Sequence, residues 1–217
     1  MTPVISSGNS KMGKVYNISL PPIKTCMFKG CRKECYALKS YRAWPTVRVA
    51  WDRNLELYKL DPYSYFKYIA DFCVAKPSMK LFRWNVGGDI PDRCYYMGMC
   101  SVASECPGVP FLCFTKNTDI VRLQRPSNLR IVASAWPDTH LDLTLDGHRA
   151  EMSNWLAMVG DSAPIAWVAL KGAKGKAAIA YEEVRKTQKS TKCKGKCEEC
   201  GLCWWLTPGQ SVVFDQH

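Results

Sequence analysis

No run of apolar residues in this chain approaches the roughly 20 that a membrane-spanning helix requires, and the opening MTPVISSGNSKMGK lacks the apolar core of a secretory signal. These absences predict a protein with no membrane partner, working in the cytoplasm. Acidic residues are also under-represented: 19 Asp and Glu against 30 Lys and Arg leave a net charge of +11. Such a surplus makes nucleic acid or another polyanion a more natural partner than a basic substrate. No Walker phosphate loop, Ser-centred nucleophile elbow or zinc-protease helix is present. Internal repeats are missing too. What remains is a 217-residue chain, 47% hydrophobic and 23% charged, a balance that excludes wholesale disorder, collagen and coiled coil.

Twelve cysteines stand out against this background. In a chain without an export signal they stay reduced, which favours metal ligation over a disulfide framework. Cys73, Cys94, Cys100, Cys106 and Cys113 sit mostly in apolar surroundings (DFCVA, YMGMCSVA, FLCFT) and read as small core hydrophobes. The other seven form two groups at the two ends of the chain.

Between those ends the pattern is that of an α/β protein. KVYNISLP reads as a strand ending at Pro21 and Pro22. Residues Pro45 to Leu60 have helical spacing, and Asp61 followed by Pro62 caps a second helix reaching about Ala75. MKLFRWNV, PFLCFT, LRIVASAW and PIAWVAL are short apolar runs suited to buried parallel strands. Helices are expected between them at Asp92 to Glu105 and Asp119 to Leu123. The expected fold is a single α/β domain over 1–217, its parallel sheet curved into a partial barrel. A basic, Cys-rich segment, 171–217, packs back on it. Nine bases from Lys171 to Lys196 face only Glu182 and Glu183 and are a candidate phosphate-contacting tract.

The C-terminal cysteines, Cys193, Cys197, Cys200 and Cys203, lie in CKGKCEECGLCWW. Their last three repeat the C-x2-C-x2-C spacing with which one loop wraps a corner of an iron–sulfur cube, whereas a zinc ribbon joins two separated pairs. The N-terminal group, CMFKGCRKECYALK, offers Cys26, Cys31 and Cys35. Three thiolates would hold three irons of a 4Fe–4S cube and leave the fourth open. Zinc remains an alternative, and the two groups could share ligands in one site. Neighbouring Lys24, Lys29, Arg32 and Lys33 are expected to lower the thiol pKa values.

Three closely spaced cysteines after the first strand resemble the radical S-adenosylmethionine enzymes, although the intervals here are four and three residues. Tyr36 follows the third cysteine, and Gly87, Gly88 and Asp89 resemble that family's Gly-Gly-Glu segment, with Asp for Glu. The likeness implies S-adenosylmethionine as a candidate cofactor, contacted by these four residues. The chain resembles more closely the phage family called gene product 88. The shared features are LPPIKTC, the Cys35-Tyr36-Ala37 ending, a strand closing in Gly87-Gly88-Asp89 and a final cysteine run closing in Cys-Trp, together spanning about residues 10–205. That resemblance implies phage origin, the infected host's cytoplasm and one or two cysteine-bound 4Fe–4S clusters.

In a parallel barrel, polar residues at the C-terminal strand ends face the ligand mouth. By this rule Asn85, Asp89, Thr115, Lys116, Asn117, Ser134 and Trp136 gather above the first cysteine group, with Asn85, Lys116 and Ser134 as cofactor contacts. His140 and His148, with Asp138, Asp142 and Asp146, read as a polar loop and helix start, and no catalytic residue is assigned. The expectation is a phage iron–sulfur protein. The alternative is a non-enzymatic nucleic-acid-binding protein with a structural iron–sulfur or zinc site.

Overall fold

A computed structural model of the chain describes residues 1–28, 30–138 and 140–216. Seven strands, β1 (Tyr16–Ile18), β2 (Phe82–Trp84), β3 (Phe111–Thr115), β4 (Leu129–Ser134), β5 (Ile165–Ala169), β6 (Thr191–Lys192) and β7 (Ser211–Asp215), form one parallel sheet in the order β1-β2-β3-β4-β5-β7-β6. β3 and β4 align over five residues from Phe111 opposite Leu129. The tail was expected only to pack back on the body. Instead, Val212 and Val213 lie in β7, inserted between β5 and β6. The edge strands β1 and β6 are not paired with each other, and an antiparallel bridge from Ser6 to Asn17 shields the β1 edge.

Nine helices are found among the described residues: α1 (Tyr36–Ala43), α2 (Pro45–Leu60), α3 (Pro62–Val74), α4 (Arg93–Glu105), α5 (Thr118–Val121), α6 (Leu145–Gly160), α7 (Lys176–Thr187), α8 (Cys197–Cys200) and α9 (Leu202–Trp205). Their starts follow local chemistry. Pro45 and Pro62 occupy first turns, where a missing N–H costs nothing. Asp61, Asp92 and Thr144 cap α3, α4 and α6 by accepting from the backbone N–H groups of Ser64, Tyr95 and Gly147. None of the helices is long and apolar enough to cross a membrane.

Strand alternation divides the interior into two layers. Phe82, Trp84, Phe111, Cys113, Ile131, Ile165 and Trp167 face α2 to α7, joining Tyr58, Tyr65, Phe66, Tyr95 and Tyr181 in the larger core. Leu112, Val132, Ala166 and Val212 face the other way. They are covered by Met12 and Val15 from the N-terminal segment and by Trp204 and Leu206 from the C-terminal one. The sheet is therefore roofed by helices on one side and by the two chain ends on the other. Of the five central cysteines, Cys73, Cys106 and Cys113 are buried and Cys100 is partly so. Cys94, in the first turn of α4, is exposed.

Candidate functional site

The N-terminal thiols are arranged by a loop that folds over the C-terminal ends of the strands. After Pro21 and Pro22 the chain turns sharply at Ile23, whose φ of 71° is rare for a β-branched residue. Thr25 pins the turn by donating its hydroxyl to the Pro21 carbonyl at 2.9 Å and accepting the Asp89 N–H at 3.2 Å. Cys31 precedes a 3-10 turn, Arg32–Glu34. Cys35 caps α1, its sulfur accepting from the Leu38 N–H at 3.4 Å. Cys26, Cys31 and Cys35 then line one recess with Pro22, Ile23, Phe28 and Arg32. The loop is held down beyond β3, where Asn117 Nδ2 donates to Met27 Sδ at 3.1 Å. Beyond β4, Gly30 approaches the Pro137 carbonyl.

Asp89 is close enough to Cys26 and Cys31 to act on their charge. Its carboxylate accepts from the Thr115 hydroxyl at 2.5 Å, the Ile90 N–H at 2.7 Å and the Lys116 N–H at 2.9 Å. Burial still raises its pKa above the ordinary value. At Cys26 and Cys31 the expectation that basic neighbours depress the thiol pKa is overturned. Burial pushes Cys26 up to about 11, with Asp89 and the two partner thiols adding to the shift. Cys31 is also raised by burial, against the pull of Lys116. Lys24 is drawn away to Asp52 at 2.6 Å, and Lys29 lies outside the described residues.

The other strand-end residues do not all reach this recess. Asn85 is buried with φ of 50°, and its Oδ1 accepts from the Tyr95 hydroxyl of α4 at 3.2 Å, on the helix side. Its Nδ2 is buried without a partner among the described residues. Ser134 lies on the face of Val132, opposite to that of Ala133 and its neighbour Thr115. Tyr36 donates its hydroxyl to the Val86 carbonyl at 2.6 Å, tying α1 to the segment after β2. The chain itself crowds the paired glycines: a Cβ on Gly87 would stand 2.3 Å from the Trp51 ring, and one on Gly88 2.6 Å from the Leu20 carbonyl. Asp89 and Lys116 thus lie beside the thiols, Thr115 holds Asp89 and Asn117 holds Met27 of the thiol loop, while Asn85 is engaged by Tyr95 and Ser134 lies on the Val132 face.

The four C-terminal thiols form a second group under the opposite face. Cys193 N–H donates to the Val213 carbonyl at 2.9 Å, continuing the β6 to β7 pairing. The Cys197 and Glu198 N–H groups donate to Lys11 and Met12 carbonyls at 3.3 and 3.0 Å, and Trp204 Nε1 donates to the Phe82 carbonyl at 3.0 Å. Burial pushes Cys203 up to about 12 and raises Cys197. The charges of Cys193 and Cys200 add to both shifts, and Arg83 opposes them. The first group is coupled to Asp89 and Lys116 and the second to Arg83. Among the described residues, no three or more His, Cys, Asp or Glu converge as the donor set of a single metal ion.

Arg83 escaped the sequence reading. It sits at the inward position of β2, its guanidinium 4.9 Å from the Phe114 ring centroid and 3.4 Å from Met12 Sδ. No carboxylate pairs with it among the described residues, and its buried Nε has no partner. The available signal was a base between two buried aromatics in Phe82-Arg83-Trp84, since such a position in a two-sided sheet faces a second layer. His148 is buried on α6, and His140 is exposed, with its N–H donating to Asp138. The basic tract is partly neutralised: Arg185 pairs with Glu182, Lys192 with Asp215 and Lys196 with Glu199.

No curated protein and no solved structure matches this chain. The gene product 88 family model matches residues 3–205, and with LPPIKTC, the Gly-Gly-Asp turn and the closing cysteine run all inside that span, the chain belongs to this family of phage gene products.

Proposed function

We propose that this protein binds iron–sulfur clusters through its two thiol groups, the N-terminal one through Cys26, Cys31 and Cys35 and the C-terminal one through Cys193, Cys197, Cys200 and Cys203. What supports the reading is that the second group lies beside Arg83, a cation with no carboxylate partner among the described residues, and that Lys116 faces the first group next to Asp89. A half-buried cation without a counter-charge is costly, and a thiolate-bound cluster carries the negative charge that would offset it. The donor set fits. All seven side chains are soft thiols, three of them at the spacing with which one loop embraces a cube.

A bound cluster would supply one-electron chemistry and, where only three thiolates hold it, an iron open to a small ligand. S-adenosylmethionine as that ligand, and curvature of the sheet into a partial barrel around it, are the finer parts of the proposal. Around the recess, the chain's own residues hold Asp89 in place through Thr115 and two backbone N–H groups, and set Lys116 against Cys31. Arg83 holds positive charge against Cys197 and Cys203.

The test is purification without oxygen, followed by iron, sulfide and zinc analysis. Brown protein absorbing near about 400 nm, with iron and sulfide in similar amounts, is the expected result. Stoichiometric zinc without iron would overturn it. Cys200→Ala and Cys203→Ala should lose iron that Cys113→Ala retains. Electron paramagnetic resonance of the reduced protein should change on adding S-adenosylmethionine. An unchanged spectrum in iron-loaded protein removes that ligand alone.

A further inference from the structure

The corner between α1 and α2 combines exposure, charge and an aromatic ring in a way the fold does not use. Trp44 ends α1 and begins α2 with its side chain 63% exposed. Its ring packs against no other aromatic among the described residues. Lys39 and Arg42 precede it, three residues apart on one helical face, and Arg48 follows one turn into α2, its N–H donating to the Trp44 carbonyl at 3.1 Å. Lys39, Arg42 and Arg48 are all exposed, as are Arg32 and Lys33 toward the thiol recess. None of these five cations pairs with a carboxylate among the described residues. The nearby Asp52 is already engaged, by Lys24 at 2.6 Å and the Tyr41 hydroxyl at 2.6 Å.

We infer that this corner is a docking surface for single-stranded nucleic acid, with an unpaired base stacked on Trp44 and neighbouring phosphates on Lys39, Arg42 and Arg48. A cationic track with an exposed aromatic platform is how sequence-tolerant single-strand binders work, because every base has a face to stack while the phosphates supply the attraction. A duplex keeps its bases stacked inside and offers the indole nothing. An anionic membrane surface fits less well. Inserting α2 would need an apolar stripe, and its outward face carries Arg48, Asp52 and Glu56 beside Val49. The C-terminal tract is the weaker claimant for phosphate, since Arg185, Lys192 and Lys196 already have acidic partners. Cys35 caps α1, so a strand lying along this track would also run beside the thiol recess. The inference does not depend on what those thiols hold.

The experiment is fluorescence anisotropy of a labelled single-stranded oligonucleotide with the full-length protein, repeated across a salt series. Trp44→Ala should weaken binding by about tenfold or more. Arg42→Gln with Arg48→Gln should weaken it and flatten the log–log salt slope by about 1.4, or about 0.7 per lost phosphate contact. Lys174→Gln with Lys189→Gln should leave affinity within about twofold. All the changed residues are exposed, and unchanged melting curves would confirm that each variant folds. Wild-type affinity in Trp44→Ala would overturn the inference. So would equal binding of duplex, loss of binding in the Lys174/Lys189 variant instead, no binding at low salt, or Trp44-dependent capture by anionic vesicles in place of the oligonucleotide.

Discussion

Replacing Gly88 with alanine tests whether the turn after β2 is shaped by packing within the chain. Gly88 has φ of 77°, and an added Cβ would stand 2.6 Å from the Leu20 carbonyl oxygen and 2.7 Å from Thr25 Oγ1. The left-handed conformation alone costs an L-residue about 1–2 kcal/mol, and forcing an atom into a filled space adds about 1–3 kcal/mol. Together these predict a loss of about 2–5 kcal/mol, a large part of the roughly 5–15 kcal/mol that holds a domain together. Two reference substitutions separate the contributions. Gly209 has φ of 81° with open space around it, so Gly209→Ala should cost only the backbone share. Gly108 has open space and no positive φ, so Gly108→Ala should be neutral or stabilise by up to about 1 kcal/mol. Urea unfolding of all three variants gives the ranking. Because Thr25 stands next to Cys26, Gly88→Ala should also retain less metal than Gly209→Ala under conditions where both are folded. Equal destabilisation by Gly88→Ala and Gly209→Ala would refute the packing argument.

Trp204→Phe removes the N–H that reaches the buried Phe82 carbonyl. It should cost about 1–3 kcal/mol and speed tryptic cleavage at Lys194 and Lys196; unaltered cleavage rates would mean that the indole does not anchor the segment. Glu182 responds to pH. Burial would raise its pKa, but the Arg185 guanidinium and the Leu170 N–H outweigh that and hold it below its ordinary 4.5. A depressed carboxylate gives stability that is complete above the unfolded value and is lost as pH falls through the folded one. Wild-type protein should therefore lose more melting temperature than Glu182→Gln between about pH 6 and pH 3.5. Parallel losses in the two proteins would show that the pair contributes nothing.

Much of the framework was legible because its causes are local. Pro45, Asp61 with Pro62, and Asp92 are start signals that act within one turn, and α2, α3 and α4 begin where those residues stand. Short apolar runs without strict alternation indicated strands covered on both faces, and β2 to β5 run parallel as expected. The spacing of the seven terminal cysteines likewise identified two groups before any coordinates.

The tertiary structure decided what depends on distant residues meeting. Sequence placed polar strand ends at one mouth, yet Asn85 turned toward Tyr95 and Ser134 fell on the opposite face, because strand parity and a left-handed backbone set direction where a list of polar residues cannot. It read basic neighbours as activating the N-terminal thiols, but Lys24 found Asp52; burial then raised Cys26, with Asp89 adding to the shift, and outweighed the pull of Lys116 at Cys31. Nothing local announced that the last strand would slip between β5 and β6, or that Arg83 would meet Cys197 and Cys203 across more than a hundred residues. Periodicity, capping and spacing act over a few residues and are written into the chain. Desolvation and charge compensation depend on which surfaces close over a group, and only the folded sheet with its two layers determines that.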